Sequence, residues 1–260
     1  MIKLSIILVN YNTFNDTETC IKSLLENNNG YFDLKLIVVD NNSKKEIHDK
    51  LINLSNDLKF NLISNNDNYG FAKANNIGLQ YTSDSDYIWF LNNDTKIEKG
   101  FFERLYQKLP NDNEVLYFSM YDFNKSFVND GLNYVSLRTG IYSETKKKGY
   151  IPYIVGASIF LKNTTKVPRW DEQYFLYYED VEYSISLLKN GYFFKNIPEL
   201  YYLHKINGSS GCNPKTNFFR IQSQKKFMKK HGKNYAMYFL LKCFYYALRF
   251  KTKELKAFLM

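Results

Sequence analysis

The sequence predicts an α/β fold built on a mostly parallel sheet, and three observations predict it. Short apolar runs alternate with stretches of helical periodicity along the first part of the chain, which is the pattern of βαβ units. Each run breaks off in a polar cluster: Asn10–Asn12, Asp40–Ser43, Asn65–Gly70 and Asn92–Asp94. At 260 residues the chain is long enough to cover both faces of such a sheet. In a parallel sheet these strand ends share one edge, and open α/β sheets bind their ligands at that edge.

Leu4–Val9 reads as the first strand. Its apolar run is superficially like a short signal peptide, but it stops at Asn10 and no small-residue cleavage site follows, so the expectation is a cytoplasmic protein. A helix comes next, with Asn15 and Glu18 spaced as a capping box and Cys20, Ile21, Leu24 and Leu25 on one face. Leu34–Val39 is a continuous apolar strand, followed by a helix with Ile47, Leu51 and Leu54 at helical spacing. Phe60–Ser64 is a third strand, and Phe71–Gln80 a short helix. The stretch Tyr87–Asp94 (Tyr-Ile-Trp-Phe-Leu-Asn-Asn-Asp) organises the rest. Its aromatic and apolar residues predict a buried strand. Its end, a carboxylate flanked by amides, suits a hard divalent cation carrying a diphosphate. The same residues also suit a polar turn that caps the next helix.

Beyond Asp94 a helix around Phe101, Phe102, Leu105 and Leu109 stops at Pro110. Val115–Met120, Leu132–Leu137 and Ile151–Leu161 are β-like and predict an antiparallel extension, with Lys146–Lys148 in a solvated loop. The aromatic segment Arg169–Asp180 delivers the paired carboxylates Glu179 and Asp180 to the start of a helix marked by Val181, Ile185 and Leu188. Acids in a first helical turn favour the macrodipole. Aromatic walls can also raise a carboxyl pKa and tune it as a general base, so two readings stand here. Gly191 ends the helix, Tyr192–Asn196 and Leu200–His204 follow as strands, and a Gly/Ser loop runs over Gly208–Gly211. His204, at a strand end, is either a structural histidine or a metal ligand.

The formal charge of +9 lies mostly toward the C-terminus and fits anionic partners such as nucleotides or phospholipid head groups. The carboxylates around the candidate site argue against nucleic acid. Cys20, Cys212 and Cys243 are far apart, offering neither a disulfide framework nor a zinc site, which fits a reducing compartment. There is no GxGxxG and no Walker lysine motif, so dinucleotide and P-loop readings are weak.

The ordered motifs Val9-Asn10-Tyr11-Asn12, Val38-Val39-Asp40-Asn41-Asn42-Ser43, Asn68-Tyr69-Gly70-Phe71-Ala72, Asn75-Asn76-Ile77-Gly78, Leu91-Asn92-Asn93-Asp94-Thr95 and Tyr177-Tyr178-Glu179-Asp180 resemble the nucleotide-sugar site of inverting family 2 glycosyltransferases. The resemblance runs from about Leu4 to His204. It is greatest to the branch with rhamnosyltransferases and related bacterial surface-polysaccharide enzymes. It implies a GT-A fold, in which a Rossmann-like nucleotide-binding sheet merges with a smaller acceptor-side region. By position, Tyr11 would pack against the donor base and Asp40 would hydrogen-bond it. Asn10, Asn12, Asn42, Gly70, Phe71, Asn75, Asn92 and Asn93 would complete the nucleotide-sugar site. Asp94 matches the metal-binding aspartate, Asn92 stands in place of that motif's first carboxylate, and His204 would complete the shell of manganese or magnesium. Asp180 matches the general base, with Glu179 beside it. The arginine that the family commonly carries in the following helix has no counterpart near Ser186 and Leu187.

The implied activity is transfer of a hexose, rhamnose among the options, from a UDP- or dTDP-sugar with inversion. The implied acceptor is a glycan or lipid-linked oligosaccharide in cell-surface polysaccharide synthesis. Two rivals remain. A catalytically silent module on the same fold is opposed by the retention of Asp40, Asp94, Glu179 and Asp180. A sugar-nucleotide nucleotidyltransferase needs a glycine-rich basic loop near the N-terminus, and Asn10–Phe14 holds neither glycine nor lysine.

From Asn217 onward lysines mix with aromatics, which divides the chain into a catalytic domain over 1–216 and a basic amphipathic helical extension over 217–260. The run Tyr235–Phe250 is shorter than the ~20 apolar residues of a membrane span and is interrupted by Lys242. Two expectations stand side by side for this extension. It lies on the inner face of an anionic membrane, or it packs back on the domain or against a second copy of the chain.

Overall fold

Alternation along the strands splits the core into two layers. In β1 (Lys3–Asn10), β2 (Asp33–Asp40) and β4 (Tyr87–Leu91) successive side chains point to opposite faces, and both faces are apolar. Leu4, Ile6, Leu8, Leu36, Val38 and Trp89 join one buried cluster, with α1 (Phe14–Asn28) and α4 (Phe101–Tyr106) packed over it. Ile7, Ile37, Val39, Ile88 and Phe90 join the other, beneath α3 (Gly70–Leu79) and α5 (Glu179–Lys189). The frequent aromatics fill these layers. Trp89 stacks on Phe101 at 5.2 Å between ring centroids, and Trp170 stacks on Tyr183 at 4.0 Å.

The computed structural model describes residues 1–205, 214–249 and 251–260; the Gly208–Gly211 loop and Cys212 lie outside the described residues. α2 (Lys45–Leu58) leads to β3 (Asn61–Ser64), and β3, β2, β1 and β4 lie side by side in parallel. The predicted antiparallel extension starts at β11 (Ser158–Lys162), which pairs antiparallel with β4 and with β6 (Glu114–Tyr121). β12 (Phe193–His204) runs parallel to β6 and meets β5 (Thr95–Lys96) antiparallel, while β7 (Phe127–Asn129) pairs with β6. A second sheet is made of β10 (Tyr150–Ile154), β8 (Leu132–Ser136) and β9 (Tyr142–Ser143).

Several local expectations are corrected. The capping box fails because the helix starts earlier, with Thr13 as N-cap and Asn15 inside α1. The Thr13 hydroxyl is used elsewhere: it donates to Asn10 Oδ1 at 3.2 Å and accepts from Asn93 Nδ2 at 2.7 Å. Leu25 and Leu188 are exposed, and Leu187 takes the buried place expected of Leu188. α4 ends at Tyr106, short of Leu109 and Pro110. Ile151–Leu161 is two strands in different sheets, broken at Val155-Gly156-Ala157. The two strands expected over 192–204 are one, β12, whose register shifts between Asn196 and Tyr201 around Pro198.

The C-terminal helices α6 (Pro214–His231), α7 (Tyr235–Leu248) and α8 (Thr252–Leu259) build a third apolar cluster. Ile221, Phe227, Met228, Tyr238 and Phe258 pack there with Val135, Tyr153, Tyr174, Tyr178 and Val181. Glu182 of α5 fastens α6, with Lys230 Nζ at 2.8 Å and His231 Nε2 at 2.7 Å from its carboxylate. Burial alone would raise the Glu182 carboxyl, but hydrogen bonds from His231 and Lys230 hold it down at about 2. No helix among the described residues is long and apolar enough to cross a membrane.

Candidate active site

The parallel register brings the polar strand ends level, with Asn10 opposite Asp40. The Asn10 amide donates to Asp40 Oδ1 at 2.8 Å and to Ser43 Oγ at 2.9 Å. Its carbonyl accepts from Thr17 Oγ1 at 2.8 Å. Asp40 Oδ1 also accepts from Ser43 Oγ at 2.5 Å, and Asp40 Oδ2 lies 2.8 Å from His48 Nδ1. Asn10 and Asp40 are fully buried and lie under the cleft floor, where they fix the β1–α1 and β2–α2 loops. Asn12 joins that framework, its side-chain oxygen accepting from the Lys44 backbone N–H at 2.8 Å. Asn42 is exposed in a left-handed conformation (φ 63°) and does not line the cleft.

Above this floor opens a cleft of about 460 Å³. Tyr11, Gly70, Phe71, Asn92, Asn93, Asp94, Glu179, Asp180 and His204, drawn from five separate stretches of the sequence, all line it. Tyr11 is 42% exposed at its mouth, an aromatic face open to solvent. Asn75 does not reach the cleft. It is buried in α3, where its amide donates to Phe71 O at 3.0 Å and steadies the start of that helix.

Gly70 is required where α3 begins. Its φ is +80°, and an added Cβ would lie 2.4 Å from the Phe175 carbonyl oxygen. The next residue, Phe71, donates its N–H to that same carbonyl at 3.0 Å, so the helix start is joined directly to the segment that precedes Glu179. Asn41 closes the other side. It accepts from Asn65 Nδ2 at 3.0 Å and Tyr69 N at 3.1 Å, and donates to Asn68 Oδ1 at 2.9 Å and Gly70 O at 3.2 Å.

One wall is the end of β4. The pairing of β12 with β5 sets His204 opposite Thr95 and so brings its imidazole beside Asp94, with Nε2 3.2 Å from Asp94 Oδ1. That approach lacks hydrogen-bond geometry. Asp94 Oδ1 and Asn92 Oδ1 are both buried without a hydrogen-bond partner among the described residues. Unpartnered buried acceptors are costly, and a carboxylate oxygen left so beside an imidazole is a donor of the kind a divalent cation takes. Asn92 reaches the same imidazole through its amide nitrogen, 3.5 Å from His204 Nε2. No group of three or more His, Cys, Asp and Glu side chains among the described residues is placed to hold an ion by itself.

The opposite wall is the start of α5, presented by strain. Tyr177 and Tyr178 are consecutive left-handed residues (φ 66° and 67°), a conformation that costs on the order of 1–2 kcal/mol for a bulky side chain. Packing holds it: the Tyr178 ring lies 4.9 Å from Tyr142 and 5.3 Å from Phe227, and its hydroxyl donates to Gly140 O. Glu179 and Asp180 emerge with no cation paired to either among the described residues, and Glu179 Oε2 is buried without a partner. Burial pushes the Asp180 carboxyl up to about 6, opposed by hydrogen bonds from the backbone N–H groups of Gly156 and Val181. Burial and the neighbouring Asp180 charge raise Glu179 well above the usual carboxylate range.

Sequence reasoning missed several lining residues. Asn41 lay in plain view inside the Asp40–Ser43 cluster. Gly156 was hidden in an apolar run read as one strand. Phe175, Tyr177, Thr216 and Phe219 also line the cleft. The last two belong to α6, beyond the stretch whose motifs carried a signal.

The family described as Glycosyl transferase family 2 matches residues 5–163. The dTDP-rhamnosyl transferase RfbF of Shigella flexneri is 26% identical over 242 residues, covering 86% of this chain and 79% of that protein. Among solved structures, S. aureus TarS superimposes with a TM-score of 0.59 at 15% identity, over 92% of this chain. This chain spans 42% of that TarS chain, less than half its length. The mannosyltransferase PcManGT from Pyrobaculum calidifontis, solved with GDP-Man and Mn2+, gives a TM-score of 0.62 at 12% identity over 88% of this chain and 63% of its own. These structures are GT-A glycosyltransferases, and the likeness extends the GT-A fold to this chain.

Proposed function

The chain belongs to glycosyl transferase family 2, and on that premise we propose that it transfers a sugar, with inversion, from a nucleoside diphosphate donor to a glycan or lipid-linked acceptor. The observation that carries this reading is the pairing of two walls across one cleft. Among the described residues, Asn92, Asp94 and His204 offer unpartnered buried oxygens and an imidazole on one side, and Glu179 and Asp180 have no cation paired to them on the other. We favour a dTDP- or UDP-linked hexose, with dTDP-rhamnose the first candidate because of the RfbF similarity.

In this reading Tyr11 takes the base on its exposed ring. Asp40, buried beneath the floor with Asn10, Ser43 and His48 on its carboxylate, fixes the loop below the base and does not meet the base itself. Asp94 and Asn92 would hold manganese or magnesium with His204 beside them, the diphosphate oxygens completing the shell. A bound divalent cation there would neutralise the charge that develops on the departing diphosphate.

Asp180 takes the proton from the acceptor hydroxyl as it attacks the anomeric carbon from the face opposite the diphosphate. Its two backbone hydrogen bonds fix the carboxylate without neutralising it, and its raised pKa improves it as a base. Burial and the Asp180 charge disfavour the ionised form of Glu179 beside it. No residue of this chain becomes covalently attached to the sugar.

Assays with dTDP-, UDP- and GDP-sugars should show one preferred base and a product of inverted anomeric configuration by NMR. Because the base must be deprotonated, turnover should fall about tenfold per pH unit below roughly pH 6 while the fold persists. A retained configuration, or a flat rate between pH 5 and 8, would contradict the mechanism.

A further inference from the structure

The whole positive excess of the chain sits in its last three helices. Residues 214–260 hold twelve lysines and arginines against a single acid, Glu254. α7 buries Tyr238 and Tyr246 against the domain and turns Met237, Leu240, Leu241, Phe244 and Leu248 outward, each between 56% and 68% exposed. At 3.6 residues per turn these five form one stripe along the helix. Scattered exposed apolar residues need no explanation, but a continuous stripe of five does.

Beside the stripe lies a second pocket, of about 300 Å³, between α6, α7 and the β8–β9 turn. Arg220, Lys242 and Lys251 line it with Tyr142, Tyr245 and Tyr246. None of the three cations forms an ion pair among the described residues, and Glu254 is the pocket's only acid. Lys242 Nζ sits 5.6 Å above the Tyr246 ring centroid and 5.9 Å above that of Tyr245. Burial, together with the nearby charges of Arg220 and Lys251, pushes the Lys242 ammonium below its usual pKa. Three cations crowded into an aromatic pocket repel one another unless an anion joins them. Tyr245 belongs to the pocket and borders the apolar stripe, so the two features form one surface.

We propose that α7 lies on an anionic lipid bilayer, with its apolar stripe in the acyl boundary and a phosphate headgroup in the pocket of Arg220, Lys242 and Lys251. An apolar face rimmed by lysines is what an interfacial helix requires, and charge complementarity selects an anionic membrane over a second copy of this equally basic surface. The placement also relates to the cleft. α6 sends Thr216 and Phe219 into the cleft and Asn217 and Arg220 into the pocket, so a lipid held there stands one helix away from Asp180. The inference does not depend on the identity of the donor.

The test is co-sedimentation of the full chain with vesicles of phosphatidylcholine alone and of phosphatidylcholine mixed with phosphatidylglycerol. Binding should require phosphatidylglycerol and weaken with salt. Leu241→Asp with Phe244→Asp should leave the protein in the supernatant with unchanged melting temperature. Lys242→Gln with Lys251→Gln should lower the partition coefficient on the order of tenfold or more. Folded wild-type protein that ignores phosphatidylglycerol vesicles would overturn the proposal, as would undiminished binding by the stripe variant. Equal binding to neutral vesicles would overturn the headgroup pocket. Concentration-dependent dimers lost in the stripe variant, without vesicle binding, would show that a second copy covers the face.

Discussion

Asp180→Asn is expected to lower sugar transfer by about 10²–10⁴-fold while nucleoside diphosphate affinity changes little, because a positioned base contributes on that scale. The substitution preserves shape and removes only the ability to take a proton. One local cost is foreseeable. Asp180 Oδ2 accepts the Gly156 N–H and Oδ1 accepts the Val181 N–H, and an amide can accept only one of the two. A lost hydrogen bond of this kind costs about 1 kcal/mol, which a melting curve would register and which is too small to imitate loss of the base. Turnover and nucleotide titration on one preparation separate the effects. Near-normal turnover would remove Asp180 from the base role.

Gly70→Ala is the second substitution with a large expected effect. At φ +80° any Cβ is disfavoured, and here it would also meet the Phe175 carbonyl oxygen at 2.4 Å and the Phe175 Cα at 2.9 Å. Both are backbone atoms, so relief requires moving the segment that leads to Tyr177, Tyr178 and Glu179. The combined loss should be about 2–4 kcal/mol of stability, accompanied by weaker nucleotide binding. Gly30→Ala is the control. Gly30 has a similar φ of +77° with nothing within 4 Å, so it should show only the conformational part, about 1 kcal/mol. Equal effects of the two would mean that the contact between Gly70 and Phe175 is unimportant to the cleft.

The parallel half of the fold was legible because period and composition agree there. Ile6 and Ile7, or Val38 and Val39, are apolar on both faces, which marks a strand covered on both sides. The site was legible because four strands deliver their polar ends to one edge. What escaped depends on long-range register. The break at Gly156 separates two sheets within an unbroken apolar run, and nothing local announces it. Thr13 looked like an ordinary loop residue, because its bond to Asn93 joins positions 80 apart in sequence. The C-terminal helices carried a charge signal but no motif, so their packing against Tyr153, Tyr174 and Tyr178 and their share of the cleft were open questions at the level of sequence. Asn10 and Asp40 lie under the cleft floor, a place that only burial reveals.

We propose that Asn92, Asp94 and His204 hold a divalent cation that receives the donor diphosphate. Isothermal titration of dTDP, UDP and GDP into the full chain, each with and without manganese, tests it most directly. Preferential binding of one nucleotide is expected, strengthened at least tenfold by manganese in the wild type and unaffected by manganese in Asp94→Ala. Binding that is equally tight with and without manganese, in both proteins, would contradict it.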